Sequence, residues 1–213
     1  MVRTQRLEAP DAIHHVVPKG SGGRRIVEDD QDRRAFLGRF AAAARDCSWV
    51  SHSGCLMSTH HHAVVETPLA NLGAGLKLLL GGYARSFNRR HGLAGNLFAQ
   101  HCWSRRIVDD SQLFRACLYV VLNPVASGLC SHPRDWPWCS YTATAEGDDE
   151  CFMPGEDRLL RIFGDTPGAA RRRYAEVVDE AVELILARRI HDGAVLWRTL
   201  GELRRGVALQ VSD

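Results

Sequence analysis

The chain has 213 residues, of which 45% are hydrophobic and 24% charged, a composition typical of a globular protein with one main domain. Its formal net charge of +2 excludes a strongly acidic or strongly basic chain. No apolar run in the sequence is long enough to cross a bilayer, and the N-terminus lacks an apolar signal region. We therefore expect a cytoplasmic protein.

The cysteines indicate a reducing compartment. Their number is odd, they are scattered, and no two of them form a C-x-x-C pair. They are Cys47, Cys55, Cys102, Cys117, Cys130, Cys139 and Cys151. This pattern predicts reduced, mostly packed thiols rather than disulfides or a zinc knuckle.

Strands and helices alternate along the first two thirds of the chain. The predicted elements are a strand at 12–17, a helix from Asp29 or Asp30 to Asp46, strands at 49–57 and 61–67, a helix at 71–91, a strand within 98–108, and a helix carrying Tyr119. A tight turn at Ser58-Thr59 joins the middle strands into a hairpin. Asp110 or Ser111 is expected to cap the last helix, and Pro124 predicts that it ends at Asn123. This order predicts an α+β fold, with an antiparallel sheet and helices on one face.

The character of the sequence changes after Tyr141. Residues 1–145 are predicted to form the main domain, 146–166 an acidic linker, and 167–213 a helical C-terminal extension. Two helices are predicted in that extension, at 167–190 and 195–209. The arginines of this extension suggest a supporting role in contacts with a nucleic-acid backbone, although amphipathic helix packing explains the pattern equally well.

A basic segment lies between Thr67 and Val108, where the chain has no acidic residue. Its cations are Lys77, Arg85, Arg89, Arg90, Arg105 and Arg106. Such a segment attracts phosphates. The interleaved aromatic residues are Tyr83, Phe87, Phe98 and Trp103. They suit a protein that stacks nucleic-acid bases, but they suit core positions behind a solvated helix face equally well.

Three consecutive histidines begin the strand at 61–67. Side chains alternate along a strand, so His60 and His62 project to one face and His61 to the other. Two imidazoles on one face can share a metal, although three histidines can also be a structural polar cluster. Glu66 shares their face as a ligand, an orienting group or an exposed carboxylate. No cysteine stands at a familiar spacing for a structural zinc site.

The predicted helix after Val108 carries a polar stripe of Arg115, Tyr119 and Asn123, spaced at i, i+4 and i+8. A tyrosine in this stripe is available for chemistry. The alternatives are a half-buried aromatic whose hydroxyl faces water, and an Asn123 that merely ends the helix.

Several strings in this order resemble one family. They are HHVVPKG, IVEDDQDRRAFL, CLMSTHHHAVVETP, YARSFNRRHG, NLF, YVVLNPV with Gly128-Leu129, and WPWCSY. Together they resemble the REP-associated tyrosine transposases of the HUH single-tyrosine superfamily, over roughly Ile13 to Tyr141. The chain departs from the usual pattern at several positions: among them, Ser58-Thr59 replace Pro-Asn, and His61 replaces a tyrosine or apolar residue.

The resemblance implies a ferredoxin-like sheet and makes residues 1–145 the catalytic domain. It implies that His60, His62 and Asn123 bind a metal, that this metal is Mg²⁺ or Mn²⁺, and that Tyr119 is the nucleophile. The implied substrate is hairpin-forming single-stranded DNA of the REP type, which implies a nucleoid-associated protein. The sequence leaves open whether it acts as a monomer or a homodimer.

The implied chemistry is strand transfer. Attack by Tyr119 on a phosphodiester leaves a 5′-phosphotyrosine and a free 3′-hydroxyl, and the step is reversible because the bond energy is retained. Arg115 is expected to help deprotonate the phenol. Arg115 and the six cations of the basic segment are expected to bind the phosphates of the DNA. Two rivals remain: a catalytically silent hairpin-binding regulator, and a metal-dependent phosphohydrolase that activates water.

Overall fold

A computed structural model describes residues 9–147 and 157–206 of the protein. The strands are β1 (Ala12–Val17), β2 (Val50–Leu56), β3 (His61–Thr67) and β4 (Trp103–Ile107). The helices are α1 (Asp30–Asp46), α2 (Leu72–His91), α3 (Asp110–Ala126), α4 (Tyr141–Glu146), α5 (Asp157–Arg161), α6 (Pro167–Arg188) and α7 (Gly193–Gly206). Cys151 and residues 148–156 of the predicted linker lie outside the described residues.

The four strands form one antiparallel sheet in the order β2-β3-β1-β4. Together with the chain order βαββαβ, this is the ferredoxin-like arrangement, and it confirms the predicted fold class. Backbone hydrogen bonds from residues 138–140 cover the outer edge of β2. The outer edge of β4 pairs with no other strand in the described part of the chain.

One face of the sheet packs against α1 and α2. Phe36 of α1 and Tyr83 of α2 meet edge to face, and both lie over Val65 of β3 in a single apolar cluster. The side chain of Asp29 caps α1 by accepting from the Asp32 N–H. Arg90 at the end of α2 forms ion pairs with Asp29 and Asp32, which locks the start of one helix to the end of the other.

The opposite face is also covered, so the prediction that helices lie on one face was wrong in this respect. Helix α3 crosses this face, and α6 and α7 pack against α3 within a second apolar cluster. The physical reason is that the central strands are apolar on both sides: Ile13 and Val64 face α3, whereas Val16 and Val65 face α1 and α2. A sheet with two apolar faces must bury both.

Helix α3 differs from its prediction at both ends. Asp109 rather than Asp110 or Ser111 caps it, with its carboxylate accepting from the Gln112 N–H. The helix also continues through Pro124 to Ala126 instead of ending at Asn123. Burial of the last turn against the core outweighs the unfavourable geometry that proline imposes on the preceding residue.

The C-terminal helices share the core of the main domain. Tyr174 of α6 and Leu200 of α7 are buried in the same cluster as α3. Part of the predicted linker joins them, because Leu159 and Phe163 are buried there too. The domain boundaries at 145 and 166 stay predictions. No helix among the described residues is long and apolar enough to span a membrane.

Candidate functional site

The predicted metal histidines lie side by side at the start of β3. The ring centroids of His60 and His62 are 4.8 Å apart, with the rings almost perpendicular. The Nδ1 atom of His60 lies 3.0 Å from the Thr59 hydroxyl, and Nδ1 of His62 lies 3.0 Å from Nε2 of His15. Neither Nε2 makes a hydrogen bond to any described residue. Both Nε2 atoms are thus available to a ligand.

Both imidazoles are neutral at physiological pH. Burial lowers the pKa of His60 to about 4, with help from the charge of Lys19. Burial also lowers the pKa of His62 well below its usual range, and the neighbouring His15 adds to this effect. Neutral imidazole is the form that binds metals, so these rings need not lose a proton first.

Tyr119 projects from α3 onto the same histidines. Its ring centroid lies 5.6 Å from that of His62 and 5.9 Å from that of His15, in edge-to-face geometry. Tyr119 is partly buried. The structure therefore brings together the predicted nucleophile and a predicted metal ligand, which are 57 residues apart in the sequence.

Asn123 lies one helical turn after Tyr119 and is 9% exposed. Residues four apart share a helix face, so the amide is on the side of α3 that carries Tyr119. Glu66 serves elsewhere: its carboxylate lies 3.0 Å from Nε2 of His52 and 3.9 Å from Arg158. It is four residues beyond His62, roughly 13 Å along an extended strand, which is too far to share a metal with it.

The sequence interpretation missed three residues at this site. His15 of β1 contacts both His62 and Tyr119. The Trp197 ring of α7 packs edge to face on Tyr119 at 5.9 Å, and a Cβ at Gly193 would lie 2.6 Å from the Tyr119 hydroxyl. Pairing of β1 with β3 was not predicted, which is why the HHVV string gave no signal for His15. Nothing in the amphipathic pattern of α7 singled out Trp197 or Gly193.

The predicted DNA-binding cations divide between the two sides of the sheet. Lys77, Arg85 and Arg89 are exposed on α2, on the side away from Tyr119. Arg105 lies opposite His15 on β4 and faces the site, whereas Arg106, opposite His14, faces the other way.

Two further predicted cations have partners within the protein. Arg90 is held by its ion pairs to α1 and serves the fold. Arg115 stacks over Trp197 at 4.9 Å, on the same indole that Arg105 approaches at 5.8 Å, and its Nε is buried without a hydrogen bond. A cation–π pair holds Arg115 one turn from Tyr119.

The aromatic residues of the basic segment are mostly core. Tyr83, Phe87 and Phe98 are between 1% and 9% exposed, and the Tyr83 hydroxyl donates to the Ile26 carbonyl. Trp103 alone among the four is half exposed, at 49%, and it packs against His15. Only Trp103 is therefore placed to stack on a nucleic-acid base.

His61 faces the opposite side of the sheet, as the alternation predicts. Its ring lies between Phe36 and Phe40, is fully buried, and has no hydrogen-bond partner on either nitrogen. Burial lowers its pKa to about 3, and His60 and His15 add to the effect. It takes no part in the site.

The donor chemistry fits a divalent cation. No group of three or more His, Cys, Asp or Glu side chains in residues 9–147 and 157–206 is arranged to hold a metal. The predicted set instead combines two neutral imidazoles with the amide oxygen of Asn123. Three protein ligands leave coordination positions for phosphate oxygens, as in catalytic rather than structural sites. The metal assignment and the catalytic roles stay predictions.

Neither a family model nor a curated protein matches the sequence. A solved structure, that of a REP-associated tyrosine transposase bound to a REP hairpin, is similar to this chain with a TM-score of 0.57. The similarity covers 69% of this chain and 87% of that one, at 17% sequence identity. The chain has the fold of a REP-associated tyrosine transposase. This confirms the fold that the sequence resemblance implied, including the ferredoxin-like sheet that carries the histidines.

Proposed function

We propose that the protein is a metal-dependent, single-tyrosine DNA transposase that cleaves and rejoins hairpin-forming single-stranded DNA. The observation that carries this proposal is the edge-to-face contact between Tyr119 on α3 and His62 on β3. It sets a phenol beside His62, a neutral imidazole whose Nε2 is available to a ligand, and the ring of His60 lies 4.8 Å from that of His62. The solved structure of similar fold, which is bound to a REP hairpin, supports DNA as the substrate.

The proposed reaction is an in-line displacement at phosphorus. The Tyr119 phenol gives up its proton to solvent, and its oxygen forms a bond to phosphorus as the bond between phosphorus and the 3′-oxygen of the DNA breaks. The departing 3′-oxygen takes up a proton and becomes a free 3′-hydroxyl. The product carries the downstream strand as a 5′-phosphotyrosine. Attack by another 3′-hydroxyl reverses the step and joins strands without an external energy source.

Each residue of the site has a role in this step. His60, His62 and Asn123 would hold Mg²⁺ or Mn²⁺, and the bound ion would supply Lewis-acid polarisation of the phosphate and neutralise its charge. The packing of Tyr119 between His15 and Trp197 restricts its ring and so reduces the entropy lost in reaching an in-line geometry. Arg115 lies one helical turn before Tyr119 on α3 and is proposed to contact the phosphate.

The DNA path follows from the positions of the exposed cations. Arg105 lies on the site face of β4, Arg106 on the opposite face, and the Trp103 ring is half exposed beside them. A DNA strand that crosses the outer edge of β4 contacts both Arg105 and Arg106 and can stack a base on the Trp103 ring. Lys77, Arg85 and Arg89 on α2 extend this positive surface away from the site and suit the phosphates of the hairpin stem.

The test is formation of a covalent protein–DNA adduct. Purified protein with Mn²⁺ or Mg²⁺ is mixed with single-stranded hairpin DNA from around its own gene, labelled at the 3′ end so that the label travels with the phosphotyrosine. We expect a denaturation-resistant labelled band that Tyr119→Phe abolishes. Tyr83→Phe is the matched control, because it removes a buried hydroxyl on the other side of the sheet and leaves the site intact.

The two rivals give different results in the same assay. Cleavage that survives Tyr119→Phe and yields a free 5′-phosphate with no adduct indicates an activated-water phosphohydrolase. DNA that is retarded in a native gel but never cut indicates a binding regulator. Either result rejects the transposase mechanism.

A further inference from the structure

His15 is the first candidate for an unassigned role, because it contacts both a predicted metal ligand, His62, and the predicted nucleophile, Tyr119. Its Nε2 lies 3.0 Å from Nδ1 of His62, and its ring packs against Tyr119 at 5.9 Å. The sheet explains this position. His15 pairs with Val64 in the register between β1 and β3, so it shares a face with His62, which lies two residues before Val64.

The hydrogen bond between the two rings has two forms. A neutral imidazole carries one proton, so either His62 donates from Nδ1 to Nε2 of His15, or His15 donates from Nε2 to Nδ1 of His62. In the second form, His62 must carry its own proton on Nε2. That proton occupies the lone pair that a metal would use. Only the first form leaves Nε2 of His62 ready to bind.

His60 is held in the same manner. Its Nδ1 lies 3.0 Å from the hydroxyl of Thr59, whose oxygen can accept a hydrogen bond from the Nδ1–H. Each predicted ligand histidine thus has Nδ1 engaged by a protein group and Nε2 without a protein partner. Partners of this kind fix the tautomer and the orientation of metal-binding histidines, and the partner is usually a carboxylate, a carbonyl or water.

We propose that His15 is a positioning residue that accepts a hydrogen bond from Nδ1 of His62 and so keeps the Nε2 lone pair of His62 directed at the metal. The proposal rests on the proposed function, because it concerns the ligand that the metal site requires. The ring of His15 is itself held in place, by the edge of Trp103 at 5.2 Å and by Tyr119. It therefore offers a fixed acceptor rather than a mobile one.

The decisive measurement is the tautomer of His62 in the metal-free full chain, read from long-range ¹⁵N–¹H correlations of the imidazole ring. We expect a proton on Nδ1 in the wild type. His15→Gln should preserve this form, because the glutamine oxygen reaches about as far as the imidazole Nε2 and can accept. His15→Leu cannot accept, and His62 should then populate the form protonated on Nε2.

Binding of Mn²⁺ alone, followed by electron paramagnetic resonance, provides a second readout. His15→Leu should weaken it by about 10- to 100-fold, the usual effect of losing such a partner, whereas His15→Gln should stay within about threefold of wild type. His14→Leu is the matched control, because His14 precedes His15 on β1 but faces the opposite side of the sheet. It should leave the His62 tautomer unchanged.

A wild-type His62 protonated on Nε2 overturns the proposal, and so does equal Mn²⁺ affinity in the glutamine and leucine variants. Should His15→Leu fail to fold, the wild-type tautomer and the His15→Gln affinity decide the matter. Failure of the proposed function is a separate result. It would show as no covalent DNA adduct in a protein whose His62 has the expected tautomer and binds Mn²⁺.

Discussion

Replacing His61 with leucine should make the protein more resistant to acid. The side chain of His61 is fully buried between Phe36 and Phe40, and both of its ring nitrogens lack hydrogen bonds. Burial lowers its pKa from 6.5 to about 3. The unfolded chain takes up a proton at this residue below pH 6.5, while the folded protein does not do so until about pH 3. Stability is therefore lost as the pH falls through this interval.

The magnitude follows from linkage. Between pH 7 and pH 5, a histidine that stays neutral in the folded state and titrates normally in the unfolded state costs about 2 kcal/mol of unfolding free energy. His61→Leu removes this loss. At pH 7 the variant also removes two unpaired polar atoms, a gain of about 1–3 kcal/mol, part of which is offset by the lost aromatic contacts. The difference in unfolding free energy between pH 7 and pH 5 therefore tests the effect of His61 more directly than the unfolding free energy at pH 7 alone.

The assay is urea unfolding of wild type and His61→Leu at pH 7 and pH 5. We expect the wild type to lose about 2 kcal/mol more than the variant between the two pH values. His15 and His60 also have lowered pKa values, but both proteins contain them, so their effect cancels in the comparison. His101→Leu changes an exposed histidine and should alter stability at pH 7 by less than about 0.5 kcal/mol. Equal acid sensitivity in wild type and His61→Leu would refute the reasoning.

Three further predictions concern the site and the DNA. Gly193→Ala places a Cβ 2.6 Å from the Tyr119 hydroxyl, so the phenol must move and the adduct yield should fall at least about tenfold. Gly168→Ala is the control: its Cβ would have its nearest neighbour at 3.7 Å, so this variant should keep the wild-type adduct yield. Arg105→Gln should weaken hairpin binding in salt titrations and reduce the salt slope by about one, whereas Arg90→Gln should lower the unfolding midpoint and leave that slope unchanged. Removing divalent metal with a chelator should abolish the adduct but preserve the mobility shift of the hairpin, and a shift lost together with the adduct would contradict separate roles for metal and cations.

The sequence predicted the local features of the fold well. Hydrophobic alternation located β1, β2 and β3, and helical spacing located α1 and α2 within a residue or two of their bounds. The errors came where packing overrode local preference. Pro124 disfavours helix at Asn123, yet α3 continues because its last turn is buried. Both faces of the sheet are covered because apolar residues alternate to both sides, which the order of elements alone does not reveal.

Sequence motifs predicted only part of the site. Alternation correctly assigned His60 and His62 to one face and His61 to the other. The resemblance pointed to Tyr119, which lies beside His62 and whose catalytic role stays a prediction. His15 and Trp197 depend on strand register and on the docking of a distant helix, neither of which is encoded in local spacing. The same limitation affected Arg90, which the charge pattern assigned to DNA. Its carboxylate partners lie at the start of α1, about 60 residues earlier in the chain.

The two edges of the sheet differ in what they permit. The Trp138 carbonyl accepts from the Leu56 N–H and the Ser140 N–H donates to the Gly54 carbonyl, so the end of the outer edge of β2 is already occupied. Within residues 9–147 and 157–206 no strand pairs with the outer edge of β4, and an open edge of this kind is the usual starting point for joining a second chain. Arg105 and Arg106 discourage such pairing, since two copies meeting there would bring like charges together. Association through β4 would also bury the proposed path of the DNA, so a DNA-bound homodimer must form through a different surface.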